Sequence, residues 1–249
     1  MKKLLSFILI GMFVLSGCHT NTKIKIAIID TGFSTKSISE QYILEGKNYL
    51  DPQASTQDTY GHGTAVASII LDMTSDVLLI PLVNSAYEDG KLIQVDNETF
   101  AQMIKDAVDE YDCDIINISA GLVLDKNCIK EACDYAYQNN VLIVASAGND
   151  YLINKEVKYY PASYDTVLSV GSLDSKGEIS EFSQRGDWVD LYVPGEDITI
   201  KTLSGNTRIS SGTSFSTAKV SAQAARLLSQ NQNINLEQLI SKLKKSTFV

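Results

Sequence analysis

Short apolar runs alternate along the chain with stretches of helical periodicity. Residues 24–29, 77–82, 115–118, 141–145, 167–170 and 189–193 read as strands. Several are apolar on both faces, as expected of strands in a parallel sheet that is covered on each side. Between them, Phe100, Met103, Ile104, Ala107, Val108 and Tyr111 recur at helical spacing, with Asn97 or Thr99 as the candidate cap. Ile129, Ala132, Ala136 and Tyr137 mark a second helix. Near the end, Leu236, Leu239, Ile240 and Leu243 form one helical face, and Asn235 and Gln238 are spaced as a capping box. Strands alternating with helices imply an α/β fold: a three-layer sandwich with a mainly parallel central sheet between helices. Active groups in such sheets sit at the carboxyl ends of the strands.

Residues 1–17 break this pattern. Lys2 and Lys3 precede an almost unbroken apolar run from Leu4 to Leu15. The run is short of the roughly 20 residues that a membrane span needs. It is built like a secretory signal peptide. It closes with Leu15-Ser16-Gly17-Cys18, which resembles the bacterial lipobox. Three segments are therefore expected: a lipoprotein signal peptide over 1–17, a short tether over 18–23, and one folded domain over 24–249. The lipid on Cys18 would hold the protein at the extracytoplasmic face of a cell membrane. An uncleaved anchor, or cleavage without lipid, is the alternative.

The chain has 249 residues, 44% hydrophobic and 20% charged, an ordinary globular balance. One α/β unit suits that length. Losing residues 1–17 removes two lysines and no acids, so the formal charge of -9 becomes -11. So acidic a chain argues against nucleic acid as a partner. Cys113, Cys128 and Cys133 remain, an odd number that cannot all pair within one chain. They read as packing residues, with a Cys113 disulfide to one of the others as the alternative. The only histidines are His19 and His62, and no metal-ligand spacing exists.

Four segments carry residues suited to acyl transfer. Asp30 ends the first strand and is followed by Thr31-Gly32, so its carboxylate lies where a site would form, although a turn cap is equally served by such a residue. His62 stands between Gly61 and Gly63, which let the backbone turn and a substrate approach. Imidazole is the usual general base for a serine hydroxyl, because it titrates near neutrality. Ser214 precedes the small and apolar run 218–228, at a predicted helix N-terminus where free N–H groups favour an anion; an N-cap serine would look the same. Asn149 follows a strand in Ala147-Gly148-Asn149, and its amide is a candidate oxyanion donor or a turn residue.

Taken together these segments resemble the subtilisin-like serine peptidases. Ile26-Ala27-Ile28-Ile29-Asp30-Thr31-Gly32, Gly61-His62-Gly63-Thr64 and Ser211-Gly212-Thr213-Ser214 look like the family's Asp, His and Ser motifs. Tyr160-Pro161-Ala162 and Val193-Pro194-Gly195 also match, and the likeness runs over about residues 24–228. The resemblance implies a subtilisin-like fold and a serine endopeptidase. Its triad would be Asp30, His62 and Ser214, with Asn149 in the oxyanion hole. Ser119, Ala120 and Gly121 would pair with the substrate as an added strand, and Ala147 and Gly148 would line its other side.

The chain also departs from that family. Phe215-Ser216-Thr217-Ala218 replaces the usual Met-Ala and the proline that follows, which leaves the turn behind the nucleophile open to adjustment. The stretch from Ile69 to Asp76 leaves no room for an acidic calcium loop, so no cofactor or metal is expected, and Asp72, Asp76 and Asp150 remain only weak calcium candidates. No inhibitory pro-domain is recognisable between Cys18 and the first strand. So short a tether is expected to keep the active site near the membrane. Expected partners are a peptide or protein substrate and the membrane, with the protein itself a monomer. A non-catalytic peptide-binding lipoprotein is the competing reading, and a transporter's solute-binding lipoprotein fits the anchor but not the four motifs. Arg185-Gly186-Asp187 falls inside a family-matching segment and is set aside as an adhesion motif. The mature protein is expected to begin at an acylated Cys18; intact mass spectrometry checks this, and further N-terminal trimming would contradict it.

Overall fold

A computed structural model describes residues 23–231 and 233–248. The signal peptide, Cys18 and nearly all of the tether lie outside the described residues. The strands are β1 (Ile24–Asp30), β2 (Lys47–Asn48), β3 (Val77–Val83), β4 (Ser85–Glu88), β5 (Lys91–Gln94), β6 (Ile115–Ile118), β7 (Leu142–Ser146), β8 (Leu168–Leu173), β9 (Leu191–Pro194), β10 (Ile198–Lys201) and β11 (Thr207–Ser210). The helices are α1 (His62–Met73), α2 (Asn97–Asp109), α3 (Asn127–Gln138), α4 (Thr213–Gln230) and α5 (Leu236–Leu243). Seven strands form one sheet in the order β2-β3-β1-β6-β7-β8-β9, and every pairing in it is parallel. This is the three-layer α/β sandwich expected from the alternation.

β1 shows why the strand reads as apolar on both faces. Side chains alternate across a strand. Ile24, Ile26 and Ile28 therefore join the core with α1, α4 and α5. Ala27 and Ile29 point the other way, into the core with α2 and α3. β3 lies on one side of β1 and β6 on the other. The winding thus reverses at β1, and a crevice opens beyond the carboxyl ends of β1 and β6. The seven residues of β1 rise about 3.3 Å each, so its start lies roughly 20 Å from Asp30. The chain therefore enters the sheet at the end away from the crevice.

α4 runs beneath the sheet against β1, β6, β7, β8 and β9. Ala218, Ala222, Ala224 and Ala225 let it approach closely, and all are buried. Ala218, where the family has proline, lies inside an unbroken helix. A polar thread crosses this interface: Ser221 Oγ donates to Asn117 Oδ1 at 2.9 Å, and Asn117 Nδ2 donates to Ser119 Oγ at 3.1 Å. Both Asn117 and Ser221 are fully buried, so each needs the other's hydrogen bond.

Some local expectations are corrected. The cap of α2 is Asp96, one residue before Asn97; its carboxylate accepts from the Thr99 backbone N–H, so Thr99 supplies the donor and is not the cap. A carboxylate adds favourable charge at a helix start, which the neutral candidates lack. The capping box of Asn235 and Gln238 is present. Two antiparallel hairpins, β4–β5 and β10–β11, join the expected strands. The first turns at Asp89-Gly90, both at positive φ, a dipeptide that signals a tight hairpin turn. Cys113, Cys128 and Cys133 are all free thiols, the first and last buried. Burial, with the nearby Asp114 charge, pushes the Cys113 thiol up to about 12, so it stays protonated. Among the described residues no helix is long and apolar enough to cross a membrane.

Truncating Ile28, fully buried in the central strand, to alanine is expected to cost about 2–5 kcal/mol. Removing the exposed cap in Asp96→Ala should destabilise the protein by less than that. Chemical denaturation of both variants checks the order of the two effects.

Candidate active site

Asp30 is the last residue of β1 and is 4% exposed. A buried carboxylate needs donors. The Thr31 backbone N–H gives one, to Oδ1 at 2.8 Å. His62 supplies the other, its Nδ1 lying 2.8 Å from Oδ1 and 2.9 Å from Oδ2. This contact fixes Nδ1 as the protonated nitrogen and leaves Nε2 facing outward. The histidine side chain is 29% exposed, so one flank is open to an incoming group.

The contact depends on how closely two loops pack. His62 is the first residue of α1, and Gly61 before it holds φ 103°. Gly63 donates its N–H to Thr31 Oγ1 at 2.9 Å. A side chain on Gly63 would collide with the Gly32 carbonyl, and one on Gly32 with the Thr56 carbonyl. The glycines flanking the Asp and His motifs are therefore needed for close approach. Asp58, which the sequence reading passed over, ties this corner together. Its Oδ1 accepts from the Tyr60 and Gly61 N–H groups at 2.9 and 2.7 Å. Its Oδ2 accepts from Thr64 N at 3.0 Å and Thr64 Oγ1 at 2.6 Å. The available signal was an acidic residue just ahead of the turn into a helix.

Opposing influences act on the imidazole. Burial pulls its pKa down; the charge and hydrogen bond of Asp30 push it up, and Asp58 adds to them. Arg208, on β11, pulls the other way. The balance lies above the ordinary 6.5.

Ser214 is the second residue of α4. It shares a cavity of about 370 Å³ with His62, Asn149, Arg208 and Phe215. The Phe215 ring stacks beside the His62 ring, with centroids 6.3 Å apart. Among the described residues no hydrogen bond joins Ser214 Oγ to His62. Serine and histidine face one space, and catalytic contacts of this kind often tighten only when substrate binds. Asn149 has a definite orientation. Its Oδ1 caps α4 from outside, accepting from Thr213 N at 2.9 Å and Thr213 Oγ1 at 3.0 Å. That leaves Nδ2 as a donor in the cavity that Asn149 shares with Ser214. Of the first N–H groups of α4, those of Gly212, Thr213 and Phe215 are taken, and among the described residues that of Ser214 is not.

Ser119, Ala120 and Gly121 continue β6 past its last sheet pairing, and Ser119 Oγ contacts the Ser214 carbonyl at 3.5 Å. A second cavity, of about 180 Å³, runs along them to Asp30, His62, Tyr60 and Leu92. Leu92 belongs to the β4–β5 hairpin, so that hairpin borders the site. On the far side, Ala147 N donates to Val170 O at 2.9 Å and Gly148 N to Thr213 Oγ1 at 3.3 Å. Asp150, a weak calcium candidate, accepts the Tyr159 hydroxyl. Among the described residues no group of three or more His, Cys, Asp or Glu could hold a metal ion.

The chain resembles known serine proteases over most of its length. The chain is 29% identical to subtilisin DY of Bacillus licheniformis, over 90% of its own length and 84% of that protein's. It is 32% identical to the major intracellular serine protease of Bacillus subtilis (strain 168), over 84% of its length and 69% of that protein's. It spans about half, 54%, of a similar thermophilic serine proteinase from Bacillus sp. (strain AK1). The crystal structure of a cold-adapted subtilisin-like serine proteinase superposes with a TM-score of 0.79 at 24% identity, over 90% of this chain and 82% of that one, a likeness of fold. The protein is thus of the serine endopeptidase class. More narrowly, it belongs to the subtilase family, whose Peptidase_S8 model matches residues 21–247.

The His62 imidazole is expected to titrate above 6.5, the protonated form being favoured by Asp30. Arg208→Ala removes a repelling charge and should raise the titration point further. Ring-nitrogen NMR across the pH range checks both directions.

Proposed function

We propose that the protein hydrolyses peptide bonds through Asp30, His62 and Ser214, and that a lipid on Cys18 holds it at the outer face of a membrane. One observation carries the catalytic part. A buried carboxylate clasps His62 Nδ1 while the opposite edge of the ring opens on a cavity that also holds Ser214 and the free amide of Asn149.

The chemistry follows from those positions. Ser214 Oγ attacks the scissile carbonyl carbon as its proton passes to His62 Nε2. Asp30 stabilises the imidazolium and keeps the ring in one tautomer. The carbonyl oxygen becomes an oxyanion and takes hydrogen bonds from Asn149 Nδ2 and the Ser214 backbone N–H. The C–N bond then breaks, the leaving amine takes the proton from His62, and an acyl-enzyme ester remains on Ser214. A water molecule repeats the sequence: His62 takes its proton, the oxygen attacks the ester, and Ser214 leaves with the proton returned. Nothing in this cycle needs a cofactor. The substrate is a peptide or protein segment laid as an extra strand along Ser119, Ala120 and Gly121, whose backbone is not paired within the sheet. We take the protein to act as a monomer.

The anchoring part rests on the residue pattern of 1–18 alone. The positive start, the apolar run and the small residues before Cys18 together support export and acylation. Stable attachment requires more than one acyl chain, which lipoprotein modification supplies.

A fluorophosphonate probe is expected to label the wild-type protein and not Ser214→Ala. Asp30→Asn should lower kcat by about 10⁴, and Asn149→Ala by about 10²–10³. An unlabelled wild-type protein that still binds peptides would support the non-catalytic reading instead. In fractionated cells, Cys18→Ala should move the protein from the membrane pellet to the soluble fraction; unchanged pelleting would overturn the anchor.

A further inference from the structure

We propose that Tyr159 closes the space for the side chain on the acyl side of the scissile bond, so that the enzyme cleaves after small residues. This rests on the proposed peptidase activity and deepens it. A substrate strand along Ser119–Gly121 must end with its reacting carbonyl at Ser214 and Asn149. The residue carrying that carbonyl is then bracketed by two segments, 119–121 on one side and 147–149 on the other. Its side chain enters the protein only through the gap between them.

The ring of Tyr159 stands in that gap. A Cβ built on Gly121 would lie 3.0 Å from Tyr159 Cδ1. One built on Gly148 would lie 2.7 Å from Cε2 and nearer still to Cδ2. The two edges of one ring thus meet the two walls. Both wall positions are glycine, and Gly148 also holds φ 107°, so the walls accept the ring because they lack side chains.

The ring is also fixed in place. Its hydroxyl donates to Asp150 Oδ2, on the residue next to Asn149. Its carbonyl accepts from Ser163 N and Ser163 Oγ, each at 2.9 Å. The next residue, Tyr160, exchanges both backbone hydrogen bonds with Leu122, each 2.8 Å. Burial and the Asp150 carboxylate push the phenol up to about 12, so it remains a donor across the working range of a histidine base. Swinging the ring aside would break the Asp150 bond and open a void between two glycines. A glycine, alanine or serine side chain needs no such movement, whereas a leucine, phenylalanine or lysine does.

The test is a set of fluorogenic peptides that differ only at the residue before the scissile bond. Wild-type enzyme should cleave after alanine at least about 100-fold faster, in kcat/KM, than after phenylalanine, leucine or lysine, a ratio within reach of steric discrimination in a pocket. Tyr159→Gly should raise cleavage after phenylalanine by at least about tenfold. Tyr159→Phe keeps the ring and should keep the preference for small residues. Active-site labelling by a fluorophosphonate separates the two layers. Labelled wild-type enzyme that cleaves after phenylalanine or lysine as readily as after alanine overturns the role of Tyr159 and leaves the peptidase assignment standing. Absence of labelling overturns both. The wild-type profile decides the matter even if Tyr159→Gly fails to fold.

Discussion

A carboxylate has been buried at the end of the central strand, and much of the surrounding structure answers to it. Leaving such a charge without partners costs several kcal/mol. Asp30 finds its donors in the Thr31 N–H and His62. The second donor comes from another segment, so the first turn of α1 must lie directly against the β1 loop. That requirement explains Gly32 and Gly63, the Thr31 hydroxyl that accepts from Gly63, and the fourfold engagement of Asp58. Stability and reactivity here draw on the same contact, since the bond that relieves the buried charge also sets the tautomer of the base.

Asn149 shows a similar economy on the opposite side of the cleft. Its oxygen caps α4, and that engagement aims its nitrogen. A helix start has free N–H groups whether or not chemistry occurs there. Here the Gly212 and Phe215 N–H groups go to the Gly195 and Gly212 carbonyls and that of Thr213 to the amide oxygen, so the Ser214 N–H is the one left beside the amide N–H₂. The departures after Ser214 fit around this. Phe215 packs beside the imidazole, and Ala218 continues the helix, so the loss of proline leaves α4 unbroken.

Much of this was legible from residue order. The central strands are short and apolar on both faces, so they could be recognised without knowing their neighbours. Asp30, His62, Asn149 and Ser214 could be singled out because each sits where a strand or helix changes to a turn. Other features left weaker traces. The cap of α2 lies one residue before Asn97 and three before Thr99, because Asp96, Asn97 and Thr99 are all good capping types and only the backbone geometry chooses among them. β4, β5 and β11 are largely exposed, and β10 is only four residues long, with Ile200 alone fully in the core, so these hairpins lack the apolar contrast that marks the sheet. Tyr159 was invisible as a wall, since it meets Gly121 and Gly148 from 38 and 11 positions away in the chain. Convergence of that kind depends on the sheet having already formed.

The direction of β1 has one more consequence. Its first residue and its last lie at opposite poles of the sheet, with the chain's entry at one and the cleft at the other. Whatever precedes residue 23 therefore meets the domain about 20 Å from Asp30, on the side to which the crevice does not open.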